Sequence, residues 1–326
     1  MGRETDVLYD VAVMHYIEGQ TMEAIARTMG VSRSTISRLL KEARERGYVR
    51  ISVQPVDEES SQLVQWLASS FRVKATIVPV PFGASEYQRL DSVSAMAASV
   101  FSEMVKPGDV IGVAWGNTIS RVAGHLQPRA VSGLTVVQLN GAVGVAGRGI
   151  PYAGALIQTI AAAFGAQIVT FPVPAFFDRA STRDALWKET AVSSIRAVQQ
   201  RANMAVFGVG SLDSAIPSMV YSGGYLHPSD METIRREHVV GDVCTVLLRG
   251  DGTWKDLALN ARASGPTPDM LRKIPTRVAV VAGAGRVPAV LAALRAGVIT
   301  HLIIDRDTAI RLQRAASRND HGSARR

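Results

Sequence analysis

The chain has 326 residues, 47% of them hydrophobic, enough to bury a large core and, by length, to form two domains. Its single cysteine, Cys244, excludes an internal disulfide framework and a cysteine-rich zinc site and suits a reducing cytoplasm. No apolar run reaches the length of a membrane span, and the opening MGRETD is unlike a signal peptide, so a cytoplasmic protein without a membrane partner is expected.

The net charge of +8 is unevenly placed: residues 27–50 carry +5, residues 306–326 carry +4, and the rest sum to −1. A basic segment on a nearly neutral body points to a local polyanion site. The arginine-rich end, 317–326, has the composition of a disordered, solubilising tail.

In chain order, DVLYDVAVMHYIEG reads as a first helix, with Val7, Leu8, Val11, Ala12 and Tyr16 on its packing side. A second helix follows, in which Met22, Ile25, Ala26 and Met29 recur at i, i+3, i+4 and i+7 and form one buried face. Thr21 is placed to cap it, and Gly30 supplies the permissive backbone of a tight turn. Ser32 caps a third helix that buries Ile36, Leu39, Leu40 and Ala43. At about 100° per residue, its opposite face carries Ser34, Ser37, Arg38 and Lys41, with Arg33 on the flank.

This pattern is a helix-turn-helix with an outward recognition helix. Short hydroxyls approach phosphates and base edges closely, and arginine forks onto a guanine edge. The candidate DNA-binding residues are therefore Thr21, Ser32, Arg33, Ser34, Thr35, Ser37, Arg38 and Lys41. YVRISV, residues 48–53, reads as a short strand that closes a DNA-binding domain over 1–54. His15 has no cysteine or second histidine at metal spacing, and no metal or other cofactor is expected.

Residues 55–71 read as a polar linker and a short amphipathic helix over 61–71. From 72 to 316 the pattern alternates. Strands are expected at 74–80, 109–114, 134–139, 167–170, 204–209, 243–248, 277–282 and 299–304. Helical stretches lie at 88–105, 152–165, 181–200 and 286–296. Such alternation predicts an α/β domain with a mainly parallel sheet.

Several strands run into turns that start helices: Gly116-Asn117-Thr118, Asn140-Gly141, the run Gly208, Gly210 and Ser211, and Gly283-Ala284-Gly285-Arg286. Ligands of open α/β sheets gather at the carboxyl ends of strands, where helix N-termini favour anions. Together these turns predict a small-anion pocket with Arg286 as its fixed positive charge. AGAGRV lacks the final glycine of the dinucleotide fingerprint, so a nicotinamide cofactor is a poor fit.

The residues also carry a resemblance along nearly the whole chain. The stretches YIEGQTMEAIARTMGVSRSTISRLLKEARERGYVRI, IGVAWGNTI, VVQLNGAVG, FGVGSLDS, VVGDV and VAVVAGAGRVPAVLAALRAGVITHLIIDRDTAIRL resemble the SorC family of sugar-responsive bacterial regulators. The resemblance implies a helix-turn-helix domain followed by a Rossmann-like effector domain related to sugar-phosphate isomerases and deaminases. It further implies a phosphorylated sugar or polyol as effector, and a homodimer or homotetramer on operator DNA with inverted half-sites.

Carried over by position, Gly116, Asn117, Thr118, Asn140, Gly141, Gly210, Ser211 and Asp242 fall on the family's effector loops. Arg286 stands where the family carries a lysine expected to contact phosphate, keeping the charge and changing its geometry. Arg249 replaces an aspartate that the family tends to carry.

The rival reading is an active sugar-phosphate isomerase or deaminase that carries a helix-turn-helix. That chemistry needs a carboxylate or histidine beside the substrate, and the pocket turns offer only Asp213, Asp242 and Asp305. No catalytic residue is therefore assigned, and a ligand-controlled transcriptional regulator is expected.

Overall fold

The computed structural model describes residues 2–49, 58–144 and 149–323, with side chains excepted at 2–6, 149–151 and 319–323. The chain divides into two compact units, residues 1–54 and 55–326.

In the first unit, helix α1 (Gly2–Ala12) runs into a π-helical turn at Val13–Ile17, followed by α2 (Met22–Met29) and α3 (Arg33–Glu45). The apolar stripes meet as read: Val11, Ile25, Ala26, Ile36 and Leu40 form one buried cluster, and Leu8, Ala12 and Ala43 a second. Met22, Met29 and Leu39 are only half-buried at its margin. Both caps are present, since Thr21 Oγ1 accepts from the Ala24 amide at 3.2 Å and Ser32 Oγ from the Thr35 amide at 3.1 Å. Gly30 ends α2 at φ 66°, a left-handed conformation that favours glycine. Replacing Thr21 or Ser32 by alanine is expected to cost about 1 kcal/mol of unit stability, measurable by chemical denaturation of the full chain. The strand expected at 48–53 reaches outside the described residues beyond Val49.

The second unit opens with α4 (Glu58–Phe71), whose Leu63 and Leu67 are buried in its core. Then come β1 (Lys74–Val78), α5 (Glu86–Met104), β2 (Val110–Val113), α6 (Asn117–His125), β3 (Thr135–Gln138), α7 (Gly149–Phe164) and β4 (Gln167–Val169). Two helices, α8 (Ala180–Leu186) and α9 (Thr190–Gln200), precede β5 (Met204–Ser211). Beyond it lie α10 (Met219–Ser222), α11 (Pro228–Arg236), β6 (Val239–Val243), β7 (Val246–Arg249) and α12 (Pro268–Leu271). The chain ends through β8 (Thr276–Val281), α13 (Val287–Arg295), β9 (His301–Asp305) and α14 (Arg306–Ser323).

Seven strands form a parallel sheet in the order β1-β9-β8-β5-β2-β3-β4. Alternate residues of its central strands enter different cores. Met204 and Val206 face the cluster of α5, α6 and α7, while Ala205, Phe207 and Val209 face that of α4, α13 and α14. Burial on both faces explains why these strands read as continuous apolar runs. The order reverses direction at β2, which has β3 on one side and β5 on the other. That is the switch point where open α/β sheets leave a crevice.

Three expectations need correction. The strand predicted at 243–248 is a hairpin: Cys244 and Thr245 take positive φ values of 51° and 71° and join antiparallel β6 and β7. The Asp242 carboxylate accepts from the Thr245 amide at 3.1 Å and holds this turn. The helix predicted over 181–200 is interrupted after Leu186, and the Leu186 carbonyl accepts from the Glu189 amide at the break. Of the tail expected to be disordered over 317–326, residues 317–323 continue α14, and 324–326 lie outside the described residues. Among the described residues, no helix is long and apolar enough to cross a membrane.

Candidate functional site

On the first unit, the packing of Ile36, Leu40 and Ala43 turns the other side of α3 outward. Ser32, Arg33, Ser34, Ser37, Arg38 and Lys41 are exposed there, Thr35 is half-buried, and Thr21 is exposed at the start of α2. Ser32 Oγ lies 2.7 Å from Ser34 Oγ and 2.8 Å from Thr35 Oγ1, a hydroxyl cluster at the helix start. Arg33 is tied to Glu23 at 2.7 Å, and Lys41 lies 3.8 Å from Glu45. Of these three cations, Arg38 alone has no carboxylate partner among the described residues.

On the second unit, a cavity of about 40 Å³ sits outside the carboxyl ends of β2, β3, β5 and β8. Gly116, Asn117, Thr118, Asn140, Gly210, Asp242 and Arg286 all line it. Gly116 stands at φ 155° before α6 and gives that helix no side-chain cap, so its first-turn amides border the cavity. A Cβ on Gly210 would collide with the Asp242 carboxylate and Ser218 Oγ, so only glycine lets that carboxylate lie against β5.

Two expected residues stand behind the cavity wall. The Gly141 amide donates to Ser264 Oγ at 2.9 Å, and its carbonyl accepts from Trp115 Nε1 at 2.8 Å. Ser211 Oγ donates to the Gly285 carbonyl at 2.7 Å, tying the end of β5 to the turn after β8.

Three polar side chains define the cavity chemically. Asn140 and Asp242 are 1% and 4% exposed; Asn140 Oδ1 is buried without a hydrogen-bond partner, whereas the buried Tyr221 hydroxyl faces the Asp242 carboxylate. Burial pushes the Asp242 carboxyl up to about 6, against the lowering pull of the Thr245 amide, Tyr221 and Arg286. Arg286, 5% exposed, is not a free charge. Its Nε, Nη1 and Nη2 donate to the carbonyls of Ala282, Val209 and Ile216 at 3.1, 2.7 and 3.2 Å. Burial lowers its pKa, partly offset by the carboxylates of Asp242 and Glu86.

The sequence reading missed Trp115, Thr245, Pro217, Ser218 and Met219, which also line the cavity. Trp115 stood inside the stretch IGVAWGNTI, whereas the Pro217–Met219 stretch carries no glycine turn to mark it. Asp305, the carboxylate at the end of β9, is committed elsewhere. It receives Arg89 Nη1 at 2.7 Å and the amides of Gly283 and Thr308 at 3.0 Å each. Arg249 pairs with Glu237 at 2.7 Å, away from the cavity.

Residues 57–313 match the family described as "Putative sugar-binding domain", and residues 6–58 match the MarR family. The deoxyribonucleoside regulator of Bacillus subtilis (strain 168) is 31% identical over 313 residues, covering 95% of this chain and 98% of that protein. The chain belongs to the SorC family of sugar-responsive transcriptional regulators. The sorbitol operon regulator of Klebsiella pneumoniae is 25% identical over 304 residues, 93% of this chain and 96% of that one. The crystal structure of that full-length regulator superposes with a TM-score of 0.68 at 24% identity, covering 93% of this chain and 97% of the other, and so shares the SorC fold. A domain of a possible sugar-binding transcriptional regulator from Arthrobacter aurescens TC1 gives a TM-score of 0.74 at 41% identity, over 80% of this chain and 99% of that one. These SorC-family relatives are named as regulators, and the isomerase or deaminase alternative is not favoured.

Proposed function

We propose that this regulator acts in the cytoplasm and binds operator DNA through the exposed face of α3. In this reading its effector, a phosphorylated sugar or polyol, occupies the cavity at the switch point. The observation that carries the proposal is the orphaned acceptor Asn140 Oδ1 beside the buried Asp242 carboxylate within one cavity. A buried acceptor without a partner is costly, and hydroxyl donors of a sugar or polyol would satisfy it and the Asp242 carboxylate alike. The uncapped start of α6 and the Arg286 guanidinium supply the positive potential for a phosphate. Gly116, Asn117, Thr118 and Gly210 shape the wall, with Gly141 and Ser211 supporting it from behind. The relatives' names, a deoxyribonucleoside regulator, a sorbitol operon regulator and an erythritol catabolism regulatory protein, favour a sugar-derived or polyol ligand and do not bear on its phosphate.

A thermal-shift series with phosphorylated sugars and polyols beside their unphosphorylated parents tests the effector. A ligand at a hundred times its Kd adds about 2.7 kcal/mol to stability. A rise with phosphorylated compounds alone is expected. A response to the parents alone would remove the phosphate from the proposal, and no response to either would remove the ligand class.

One helix-turn-helix offers little surface for tight specificity, so two are proposed to act across a two-fold axis of a homodimer or homotetramer. The operator then contains inverted half-sites. Sedimentation of the protein–operator complex is expected to show two or four chains per site, and a monomer binding one half-site at full affinity would contradict this. For the effector to regulate, it must favour one arrangement of the paired units, since equal affinity for both shifts nothing.

A further inference from the structure

The cavity is too small for the ligand class proposed for it. At about 40 Å³ it holds one or two waters, whereas small-molecule pockets run to about 300–1,000 Å³. Pro217, Ser218 and Met219 form one side of the cavity. A second cavity of about 330 Å³, whose lining includes Tyr87, Asn117, Ser120, Arg121, Tyr152 and Ile216, adjoins it at Asn117. Asn117 borders both, so the Ile216–Pro217 peptide stands as a partition between them.

The partition is held in an unusual way. Residues 214–217 make no main-chain to main-chain hydrogen bond among the described residues. Two consecutive carbonyls, those of Ile216 and Pro217, accept instead from Arg286 Nη2 and Asn117 Nδ2, each at 3.2 Å. These are longer than the 2.7 Å bond from Arg286 Nη1 to Val209 in the sheet. Both donors belong to the loops proposed to receive the effector. Two donors suited to a phosphate are thus engaged by two adjacent carbonyl oxygens that carry no full negative charge.

We infer that the Ile216–Pro217 segment is an internal stand-in for the effector's anion. The effector enters by taking Asn117 and Arg286 from these carbonyls, and the freed segment opens the first cavity into the second. Charge-assisted bonds to a phosphate outcompete the same donors' bonds to neutral carbonyls, so the exchange favours an anion over a neutral sugar. The inference rests on the proposed effector site and adds the element that must move when it fills.

Hydrogen–deuterium exchange of the full-length protein, read on peptides covering 212–222 and the start of α6, tests it with inorganic phosphate at constant ionic strength as the probe. Phosphate is expected to speed exchange in 212–222 while slowing it at 117–119. Asn117→Ala, which removes one of the two latches, is expected to speed exchange in 212–222 about fivefold without phosphate. Unchanged exchange in Asn117→Ala, or a segment that phosphate leaves unchanged or slows, would overturn the stand-in. The two readings fail separately. A phosphorylated sugar that alters operator binding without altering exchange in 212–222 sinks only the stand-in. A segment opened by phosphate, in a protein whose operator binding ignores every sugar phosphate, sinks only the proposed effector.

Discussion

Arg38→Ala is expected to weaken operator binding by about 1–3 kcal/mol, roughly 5- to 150-fold, with the fold intact. Arg38 is exposed on α3 opposite the buried Ile36, Leu40 and Ala43, so its loss removes no packing. Its neighbours Arg33 and Lys41 are engaged by Glu23 and Glu45, whereas Arg38 has no carboxylate partner among the described residues. A guanidinium held in that state reaches a base edge without first breaking an ion pair. Fluorescence anisotropy with labelled operator gives the affinity, and circular dichroism checks the fold. If Arg38→Ala and Arg33→Ala together leave the affinity unchanged, α3 is not the reading helix. Wild-type affinity is also expected to fall steeply with salt, because phosphate contacts release counterions.

Asp242→Asn is expected to stabilise the ligand-free protein while abolishing its response to effector. Burial raises the Asp242 carboxyl from 3.8 to about 6, so the fold disfavours the ionised form. Stability tied to this group is therefore full below about pH 4 and is lost as pH rises through 6, by about 3 kcal/mol in all. Asparagine removes that loss and keeps an acceptor for the Thr245 amide, which holds the hairpin turn. The attraction between Asp242 and Arg286 disappears as well and offsets part of the gain. Thermal melts at pH 4 and pH 7.5 separate the cases. The wild type should be the less stable protein at pH 7.5 and equal to the variant near pH 4. A variant less stable than wild type at pH 7.5 would mean that the charge is compensated in the fold.

The parallel core was legible because strands buried on both faces leave uninterrupted apolar runs, as in Val278–Val281 and Leu302–Ile304. The β6–β7 hairpin was not. Its turn is built from Cys244 and Thr245 in a conformation normally left to glycine and asparagine, and the Asp242 carboxylate supports it from within the core. The helix break at Trp187–Glu189 likewise carries neither glycine nor proline.

At the site, the glycine-bearing turns marked the strand ends that converge, and Asn117, Asn140, Asp242 and Arg286 do share one lining. What the sequence could not convey is how Arg286 is used. Its charge is visible in the letters, but the three carbonyls that engage it are main-chain atoms present at every position. The Ile216–Pro217 partition escaped notice for the same reason, since it acts through its backbone.

The central claim, that a phosphorylated ligand at the switch-point cavity controls operator binding, is tested most directly by one titration. Labelled operator is bound by the full-length protein, and the phosphorylated sugar or polyol with the largest thermal shift is added to the wild type and to Asp242→Asn. The wild type is expected to change its operator affinity at least tenfold, about 1.4 kcal/mol, and the variant to hold its ligand-free affinity throughout. An equal response in both proteins, at the same ligand concentration, would place the effector elsewhere in the molecule.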